Sequence, residues 1–357
     1  MDESTANFLK RVYKEYYFKN SQKIEFPAKI QEREFGYIPF GGGMVRHLTF
    51  KTPGALEAEL IRQAPSSVYC SNATYSDPSL PMDEKGWKGA ELIFDIDADS
   101  IPSACKARHN RWYCQSCHRS GRLPRPNECP KCHSSNTTEL SWVCNECLEL
   151  VKEHVYRLID FLAKDFGASP SSVKVYFSGN RGYHIHVYDT RFESFDTQAR
   201  VEIANYARGI GINIQKYLAR GYAATHRDAF GWEGRIRKTL SSFERGRGVS
   251  KRLFNDAVES NAALIDQSVT TDIHRIFRMA GTLHGSSGML KKRVEVLESF
   301  NPQVDPVVLG DEEVEIFVNF CPKFEMKGSS FGPHNSETVK IPTYAAVYLL
   351  AKGLARA

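Results

Sequence analysis

The sequence predicts a mixed α/β (α+β) fold, because strand-like and helix-like segments alternate along its 357 residues without an internal repeat. Hydrophobic residues make up 41% and charged residues 25%, which is typical of globular chains and not of disordered ones. No stretch reaches the roughly 20 apolar residues that a membrane span needs, and the N-terminus lacks the apolar core of a signal peptide. We therefore expect a cytoplasmic protein without membrane association.

The predicted elements follow from apolar periodicity and from the glycines that interrupt it. In chain order they are a helix over 4–20, a hairpin over 33–50 joined by three glycines, a short helix over 54–63, a strand over 90–99, a helix over 148–167, a strand–turn–strand over 173–189, a mainly helical segment over 195–260, a helix over 268–280 and a strand over 291–297. Within the helical segment, the glycine- and arginine-rich stretch 232–252 is predicted to be a loop or mobile flap.

Six of the nine cysteines fall in three Cys-x-x-Cys pairs within 34 positions, which predicts zinc binding and not a disulfide framework. One grouping makes a compact four-cysteine knuckle from Cys114, Cys117, Cys129 and Cys132. Cys105, His109, Cys144 and Cys147 then form an outer zinc site at its base. Because the pairs recur every 15 residues, other pairings and a single zinc ion stay open. The isolated Cys70 and Cys321 are interpreted as buried thiols.

The net charge of +5 is concentrated in two segments. Residues 105–147 carry seven Lys/Arg against three Glu, and residues 232–252 carry seven Lys/Arg against two Glu. Trp112, Tyr113 and Trp142 are interleaved with the first set, a pattern typical of phosphate contact and base stacking. We expect both segments to face a nucleic acid, while a merely rigidified insertion remains the alternative for 105–147.

Paired carboxylates end the strand at 90–99. Asp95 and Asp97 are two residues apart, so a strand places both side chains on one face. Two such carboxylates repel each other unless a cation lies between them, and Mg²⁺ or Mn²⁺ prefers carboxylate oxygens. The pattern alone is weak, because many surface strands end in Asp; Asp99 is interpreted as a capping or loop residue.

Two further clusters add cationic groups. In the run SGNRGYHIH, Ser178, Arg181 and His184 surround two glycines, and glycine lets backbone N–H groups approach an anion while Arg forks onto phosphate oxygens. A lone strand histidine would more often be a core residue. In 265–285, Asp266 precedes the predicted helix, Arg278 lies near its end, and His284 follows in a turn.

Taken in order, five of these segments resemble the catalytic small subunit of archaeo-eukaryotic DNA primases, most closely the archaeal form. They are REFGY…MVRHLTF at 33–50, ELIFDIDAD at 91–99, the zinc cysteines with the helix that follows, YFSGNRGYHIHV at 176–187 and IDQSVTTDIHRIFRMAGTLHG at 265–285. The resemblance implies a primase-type catalytic domain formed by 1–104 and 148–357, including a mainly helical part at 195–260. Residues 105–147 would be a zinc-binding insertion.

The resemblance also implies a role for individual residues. Asp95, Asp97 and Asp266 would hold two Mg²⁺ or Mn²⁺ ions, with Asp272 as the competing choice for the third ligand. The resemblance assigns binding of the nucleotide triphosphate to Arg46, Ser178, Arg181, His184, Arg278 and His284. Outer-site ligands match the single zinc site that is usual in the family. The four-cysteine knuckle looks like an insertion, and Ala280 stands where family members often have proline.

The function that follows is template-directed synthesis of RNA or DNA primers on single-stranded DNA from NTPs or dNTPs. The implied partner is a primase large subunit, and the implied location is the archaeal nucleoid, or the nucleus for a eukaryotic source. A repair or gap-filling polymerase of the same superfamily is the first alternative. A non-catalytic zinc-containing nucleic-acid-binding subunit is the second, and a metallohydrolase would have less need of the Arg/His cluster.

Overall fold

The computed structural model describes residues 1–213, 230–241 and 250–357. Its α-helices within these ranges are α1 (Glu3–Lys19), α2 (Pro53–Gln63), α3 (Lys106–His109), α4 (Asn145–Lys164), α5 (Thr190–Glu193), α6 (Thr197–Ala207), α7 (Gly231–Ser241), α8 (Lys251–Asn261), α9 (Gln267–Thr271) and α10 (Thr343–Ala351). Across the part of the chain described, no helix is long and apolar enough to cross a membrane. The mixed α/β class predicted from the sequence is confirmed.

The strands pair antiparallel in small sheets. They are β1 (Phe35–Ile38), β2 (Val45–Leu48), β3 (Ser67–Ser71), β4 (Ala73–Tyr75), β5 (Trp87–Ala90), β6 (Leu92–Asp97), β7 (Arg111–Cys114), β8 (Ser120–Arg122), β9 (Thr137–Leu140), β10 (Val173–Phe177), β11 (Gly182–Val187), β12 (Ile276–Arg278), β13 (Lys292–Val294), β14 (Glu313–Cys321), β15 (Phe324–Met326), β16 (Ser329–Phe331), β17 (His334–Pro342) and β18 (Ala355–Arg356).

Two four-stranded sheets position the candidate site. The first has the order β12-β3-β1-β2 and the second the order β13-β10-β11-β6. In β6, Leu92, Phe94 and Ile96 are buried in the main core, which also holds the apolar side of α4. Because side chains alternate along a strand, the opposite face of β6 carries Ile93, Asp95 and Asp97. The second sheet therefore presents its polar residues on the face away from α4.

Smaller sheets complete the described chain. Strand order is β17-β14-β18 in a C-terminal sheet, β8-β7-β9 in the cysteine-rich region, and β4-β5 and β15-β16 in two hairpins. The C-terminal region, for which the sequence predicts no element, contains helix α10, whose residues 343–350 are all buried. Helix α4 begins at Asn145 and runs without a break through residue 148. The division of the chain at 104 and 148 stays a prediction.

The sequence located several of these elements correctly, including α1, α2, α4, the β1–β2 hairpin, β6 and the β10–β11 hairpin. The predicted helix over 268–280 is wrong beyond Thr271, because Ile276–Arg278 forms strand β12 and pairs with β3. The predicted loop over 232–252 is wrong for 232–241, which lie in α7, and 251–252 begin α8. The remainder of that stretch, 242–249, lies outside the described residues.

Candidate active site and metal centres

Three carboxylates from two distant segments come together on the face of β6 that points away from α4. Asp95 and Asp97 occupy alternate positions of the strand. The backbone N–H of Asp266, which caps the N-terminus of α9, donates to the carbonyl oxygen of Asp95 at 2.8 Å. Asp272 lies at the other end of α9, where its carboxylate accepts from the backbone N–H of His274 at 2.9 Å. A backbone hydrogen bond thus links Asp266 to β6, the strand that carries Asp95 and Asp97, while Asp272 lies at the opposite end of α9.

Electrostatics couple the three carboxylates. Burial, followed by the negative charges of Asp97 and Asp266, raises the pKa of Asp95 to about 7. Asp97 and Asp266 are close enough to Asp95 for ionised carboxylates to repel one another, and a divalent cation bound between them removes that repulsion. Carboxylate oxygens are also the ligands that Mg²⁺ and Mn²⁺ prefer. The residues present therefore fit a divalent cation site.

The turn between β10 and β11 lies against the end of β6. The Ser178 hydroxyl oxygen accepts from the backbone N–H of Gly182 at 3.2 Å, which closes the turn. Gly182 pairs with Asp97 across the strands, and a Cβ on Gly182 would come within 2.3 Å of the Ile96 carbonyl oxygen. Only glycine allows this close approach, so the turn is held directly beside the carboxylates.

Arg181 and His184 extend from this hairpin toward the acidic groups. The Arg181 guanidinium forms an ion pair with Asp99, and its Nε lies 3.5 Å from an Asp97 carboxylate oxygen. His184 is directly opposite Asp95 in the strand register, with 3.6 Å between Nε2 and the carboxylate. Burial and then the positive charge of Lys291 lower the pKa of His184 well below its usual value, so the ring is neutral.

Arg278 and His284 approach from the other sheet. Arg278, on β12, donates from Nη1 to the Ser67 hydroxyl at 2.9 Å, while its buried Nε has no partner among the described residues. The Nδ1 of His284 accepts from the backbone N–H of Ser286 at 3.0 Å. Burial, and then the charges of Arg278, Lys352 and Arg181, lower the pKa of His284 well below its usual value. Arg278 and His284 are both close enough to His184 to lower its pKa, and His184 faces Asp95 in the strand register.

Arg46, on β2, has a different environment from the other predicted nucleotide-binding residues. Its guanidinium binds the buried carboxylate of Glu34, with 2.9 Å between Nε and Oε1. The same carboxylate accepts from the Lys85 ammonium at 2.6 Å. The structure gives Arg46 no hydrogen bond or ion pair to the three aspartates within the described residues, so its charge is already compensated.

Sequence reasoning missed three residues of this site: Ser67, Lys291 and Lys352. Ser67 accepts from Arg278 and from the backbone N–H of Gly285. Lys291 is 1% exposed, and its ammonium donates to the Arg278 carbonyl oxygen at 2.8 Å. Burial, and then the charge of Arg181, lower the pKa of Lys352 to about 8. For Lys291 the one local signal is the strand-like alternation at 291–297, and this pattern does not show whether Lys291 or Lys292 is the buried lysine.

The structure brings the outer cysteine ligands together. The ligand atoms of Cys105, His109, Cys144 and Cys147 all lie within 4.8 Å of one another, and the Cys105 and Cys147 sulfurs are 3.1 Å apart. The Nδ1 of His109 lies 2.9 Å from the side-chain amide oxygen of Asn110. This contact orients the ring so that Nε2 points toward the Cys147 sulfur. This arrangement fits one tetrahedral zinc ion.

The knuckle cysteines form a second group. The sulfurs of Cys114, Cys117, Cys129 and Cys132 also lie within 4.8 Å of one another, next to the β8-β7-β9 sheet. Two four-ligand sets of this kind fit two zinc ions, in the grouping that the sequence favoured over the other pairings. Cys70 and Cys321 are buried apart from both groups, and burial raises the pKa of each thiol, to about 12 and about 11.

The aromatic residues of the cysteine-rich region are buried, which contradicts the predicted base stacking. Trp112 packs with Cys114 and Cys129 in a small core of the knuckle. Tyr113 stacks on Phe320 with ring centroids 5.7 Å apart, and Trp142 packs against aromatic residues of the C-terminal region. Among the exposed charged side chains of this region, basic ones outnumber acidic ones: Arg108, Arg119, Arg122, Arg125 and Lys131 against Glu128, Glu139 and Glu146. Backbone phosphate contact therefore remains available to this surface, while stacking does not.

Comparisons with known proteins identify the family of this chain. A family model described as DNA primase small subunit matches residues 136–296. The DNA primase small subunit PriS of Nitrosopumilus maritimus is 38% identical, with 99% of each chain covered. That of Cenarchaeum symbiosum is also 38% identical, with 100% of each chain covered. A solved polymerase domain from Mycobacterium tuberculosis Ligase D in complex with DNA covers 81% of each chain with a TM-score of 0.39 and 10% identity, a likeness too weak to support an argument. On the full-length relatives, this chain belongs to the DNA primase small subunit family.

Proposed function

We propose that this chain is a nucleotidyltransferase that synthesises short primers on a single-stranded DNA template. The observation that carries the proposal is the hydrogen bond from the Asp266 N–H to the Asp95 carbonyl oxygen, which gathers three carboxylates beside a cluster of Arg and His side chains. A polymerase needs both features, since acidic ligands hold divalent cations and cationic groups hold a triphosphate. Family membership supports the same activity.

In this mechanism, Asp95, Asp97 and Asp266 hold divalent cations. When bound, such ions acidify a nucleotide 3′-hydroxyl and stabilise charge on the α-phosphate and the departing pyrophosphate. Arg181 and Arg278 supply full positive charges to the triphosphate. The rings of His184 and His284 are neutral at neutral pH, because burial lowers the pKa of each well below its usual value. Each neutral ring keeps one N–H group, which donates to a phosphate oxygen.

The glycines of the 178–182 turn let backbone N–H groups approach a phosphate, and Ser178 keeps the turn closed. Arg181 is held between Asp97 and Asp99 and would exchange these carboxylates for phosphate oxygens when a nucleotide binds. Arg46 has a more limited part in the proposal. Because Glu34 already neutralises it, we expect Arg46 to position the β1–β2 hairpin and not to bind the triphosphate directly.

We further propose that each cysteine group holds one Zn²⁺ and that the basic surface around the knuckle contacts the template backbone. A primase large subunit is the expected partner for initiation, and the cytoplasm of an archaeal cell is the expected location. Zinc analysis of the purified chain tests the first statement: two ions per chain are expected, and one ion would contradict the two-site grouping.

Primer synthesis without a pre-existing primer tests the function directly. The purified chain, with and without the large subunit, is given single-stranded DNA, Mg²⁺ or Mn²⁺, and either NTPs or dNTPs. We expect dinucleotides and longer products that depend on the metal ion. Extension of an annealed primer without synthesis from two nucleotides, even with the large subunit present, would favour a gap-filling polymerase. No metal-dependent incorporation in any condition would contradict the proposal.

A further inference from the structure

A cavity of about 420 Å³ lies between the two four-stranded sheets, next to the carboxylate site. Residues of both sheets line it, including Ile93 and His186 from one and Cys70 and Phe277 from the other. None of the three aspartates lines this cavity. Ile93, which lines the cavity, and Asp95 are alternate residues on the same face of β6. The cavity therefore lies on the same side of the sheet as the active site and adjoins it.

Positive charge predominates in the lining. The charged side chains there are Arg33, Lys174, Arg278 and Lys291 against Glu25 and Glu91. Glu91 is the ion-pair partner of Arg33. Neither Lys174 nor Lys291 has a carboxylate within ion-pair distance among the described residues. Glu25 and Glu91 act on Lys291 only from beyond ion-pair distance, so neither lysine is directly paired with an anion in the described residues.

Lys291 is the more telling of the two, because it is 1% exposed. Its ammonium donates to the His186 Nε2 at 3.2 Å and to the Arg278 carbonyl oxygen at 2.8 Å, which uses two of its three N–H groups. Burial, and then the charge of Arg278, lower the pKa of Lys291 to about 7. A buried ammonium without an acidic partner is costly unless an anion accompanies it.

The remaining lining suits a planar heterocycle. Phe26, Tyr176, Tyr188 and Phe277 supply aromatic surface. Asn72 also lines the cavity, and its buried side-chain oxygen has no hydrogen-bond partner among the described residues. An N–H donor on a ring would satisfy this oxygen, while an acidic group on the same molecule would neutralise the lysines. Tyr188, 41% exposed, lies at the solvent side of the cavity and leaves a way in.

We propose that this cavity binds a nucleoside monophosphate at a site separate from the catalytic carboxylates. The phosphate is held by Lys174 and Lys291, and the base is held among the aromatic rings with Asn72 as acceptor. The cavity volume falls within the range of pockets that bind molecules of this size. Binding at this site uses none of the proposed metal ligands, although Arg278 and Lys291 line this cavity and also belong to the candidate active site.

Titration of the full-length chain with adenosine 5′-monophosphate in EDTA tests the site, because EDTA removes divalent ions from the carboxylates. We expect one saturable site per chain. Lys174→Ala should weaken binding about tenfold or more, the usual effect of losing a charged hydrogen bond. Lys10→Ala, an exposed lysine on α1, and Arg181→Ala should both bind as the wild type does. Absence of saturable binding, or loss of binding in Arg181→Ala but not in Lys174→Ala, would overturn the proposal.

Adenosine and inorganic phosphate, titrated separately, divide the site into its two halves. Adenosine should bind at least about tenfold more weakly than the monophosphate, because it lacks the group that the lysines hold. Phosphate alone should compete with the monophosphate in the wild type. Equal affinity for adenosine and its monophosphate would show that the lysines hold no anion and would refute the assignment.

Discussion

The carboxylate centre and the cysteine groups bring their candidate metal ligands together by different means. Asp95 and Asp97 belong to a strand paired over its whole length with β11, and a backbone hydrogen bond fixes Asp266 to the same strand. The cysteine and histidine ligands lie at the end of β7, in turns, at either end of the four-residue helix α3 and at the start of α4. Backbone pairing therefore holds the carboxylates in place without an ion, whereas we expect the ligand-bearing turns of the cysteine groups to need a bound metal to hold them together.

The two cysteine groups also differ from each other. Cys105 and Cys147 are part of the main hydrophobic core, at 0% and 3% exposure. The knuckle has its own small core around Trp112, and Cys132 is exposed. Loss of metal should then affect the whole chain at the outer site and only a peripheral module at the knuckle.

The largest expected effect separates chemistry from stability. Asp95→Ala should reduce primer synthesis by about a thousandfold, the scale seen when a key electrostatic group is removed from an active site. The melting temperature should stay equal or rise at pH 8. The folded-state pKa of Asp95 is raised to about 7, so its ionisation costs stability as pH rises through that value, and the variant avoids this cost. Initial rates and thermal melts of the metal-free chain measure both.

Asp83→Ala changes an exposed aspartate outside β6, so it is the matched control and should retain wild-type activity. If Asp95→Ala instead unfolds the chain, the carboxylate centre is held together by its ion, and the contrast with the cysteine groups is lost.

Cys147→Ser should have the opposite pattern. Removal of this ligand breaks the outer site inside the main core, so we expect the free energy of unfolding to fall by roughly 3 to 5 kcal/mol. Urea denaturation together with zinc analysis checks this, with one zinc ion lost per chain. A folded variant of normal stability that had lost that ion would show that the outer site is not structural.

Arg181→Ala tests the cationic cluster, which depends on the same backbone scaffold as the carboxylates. The apparent KM for nucleotide should rise about tenfold, the effect of losing a charged hydrogen bond to phosphate. Steady-state kinetics with varied nucleotide measure this, and Arg62→Ala, exposed on α2, serves as the control. An unchanged nucleotide dependence would remove Arg181 from the triphosphate site.

The smallest effect is expected at the knuckle. Cys132→Ser should lose one zinc ion while the free energy of unfolding of the main core changes by about 1 kcal/mol or less, as for other exposed positions. Template affinity should fall, because the surrounding basic groups lose their fixed positions. A large loss of global stability would mean that the knuckle is as integral to the fold as the outer site.

Local patterns account for what the sequence predicted well. Asp95 and Asp97 share a face because strand alternation depends only on neighbouring residues, and the Cys-x-x-Cys spacing is equally local. β12 was mistaken for helix because its apolar residues fit a helical period, while its partner β3 lies some 200 residues away. Ser67 and Lys291 were missed because their contacts with Arg278 join separate segments of the chain, which a local pattern does not reveal. Tyr113 and Trp142 were expected at the surface because their partners, Phe320 and Tyr348, are in the C-terminal region.

Manganese binding tests the central claim, that Asp266 completes the carboxylate centre with Asp95 and Asp97. Electron paramagnetic resonance titration of Mn²⁺ compares the wild type with Asp266→Asn and Asp272→Asn, two identical changes at the two ends of α9. Asp266→Asn should weaken Mn²⁺ binding about tenfold or more, and Asp272→Asn should leave it unchanged. Wild-type binding in Asp266→Asn, or an equal loss in Asp272→Asn, would contradict the account.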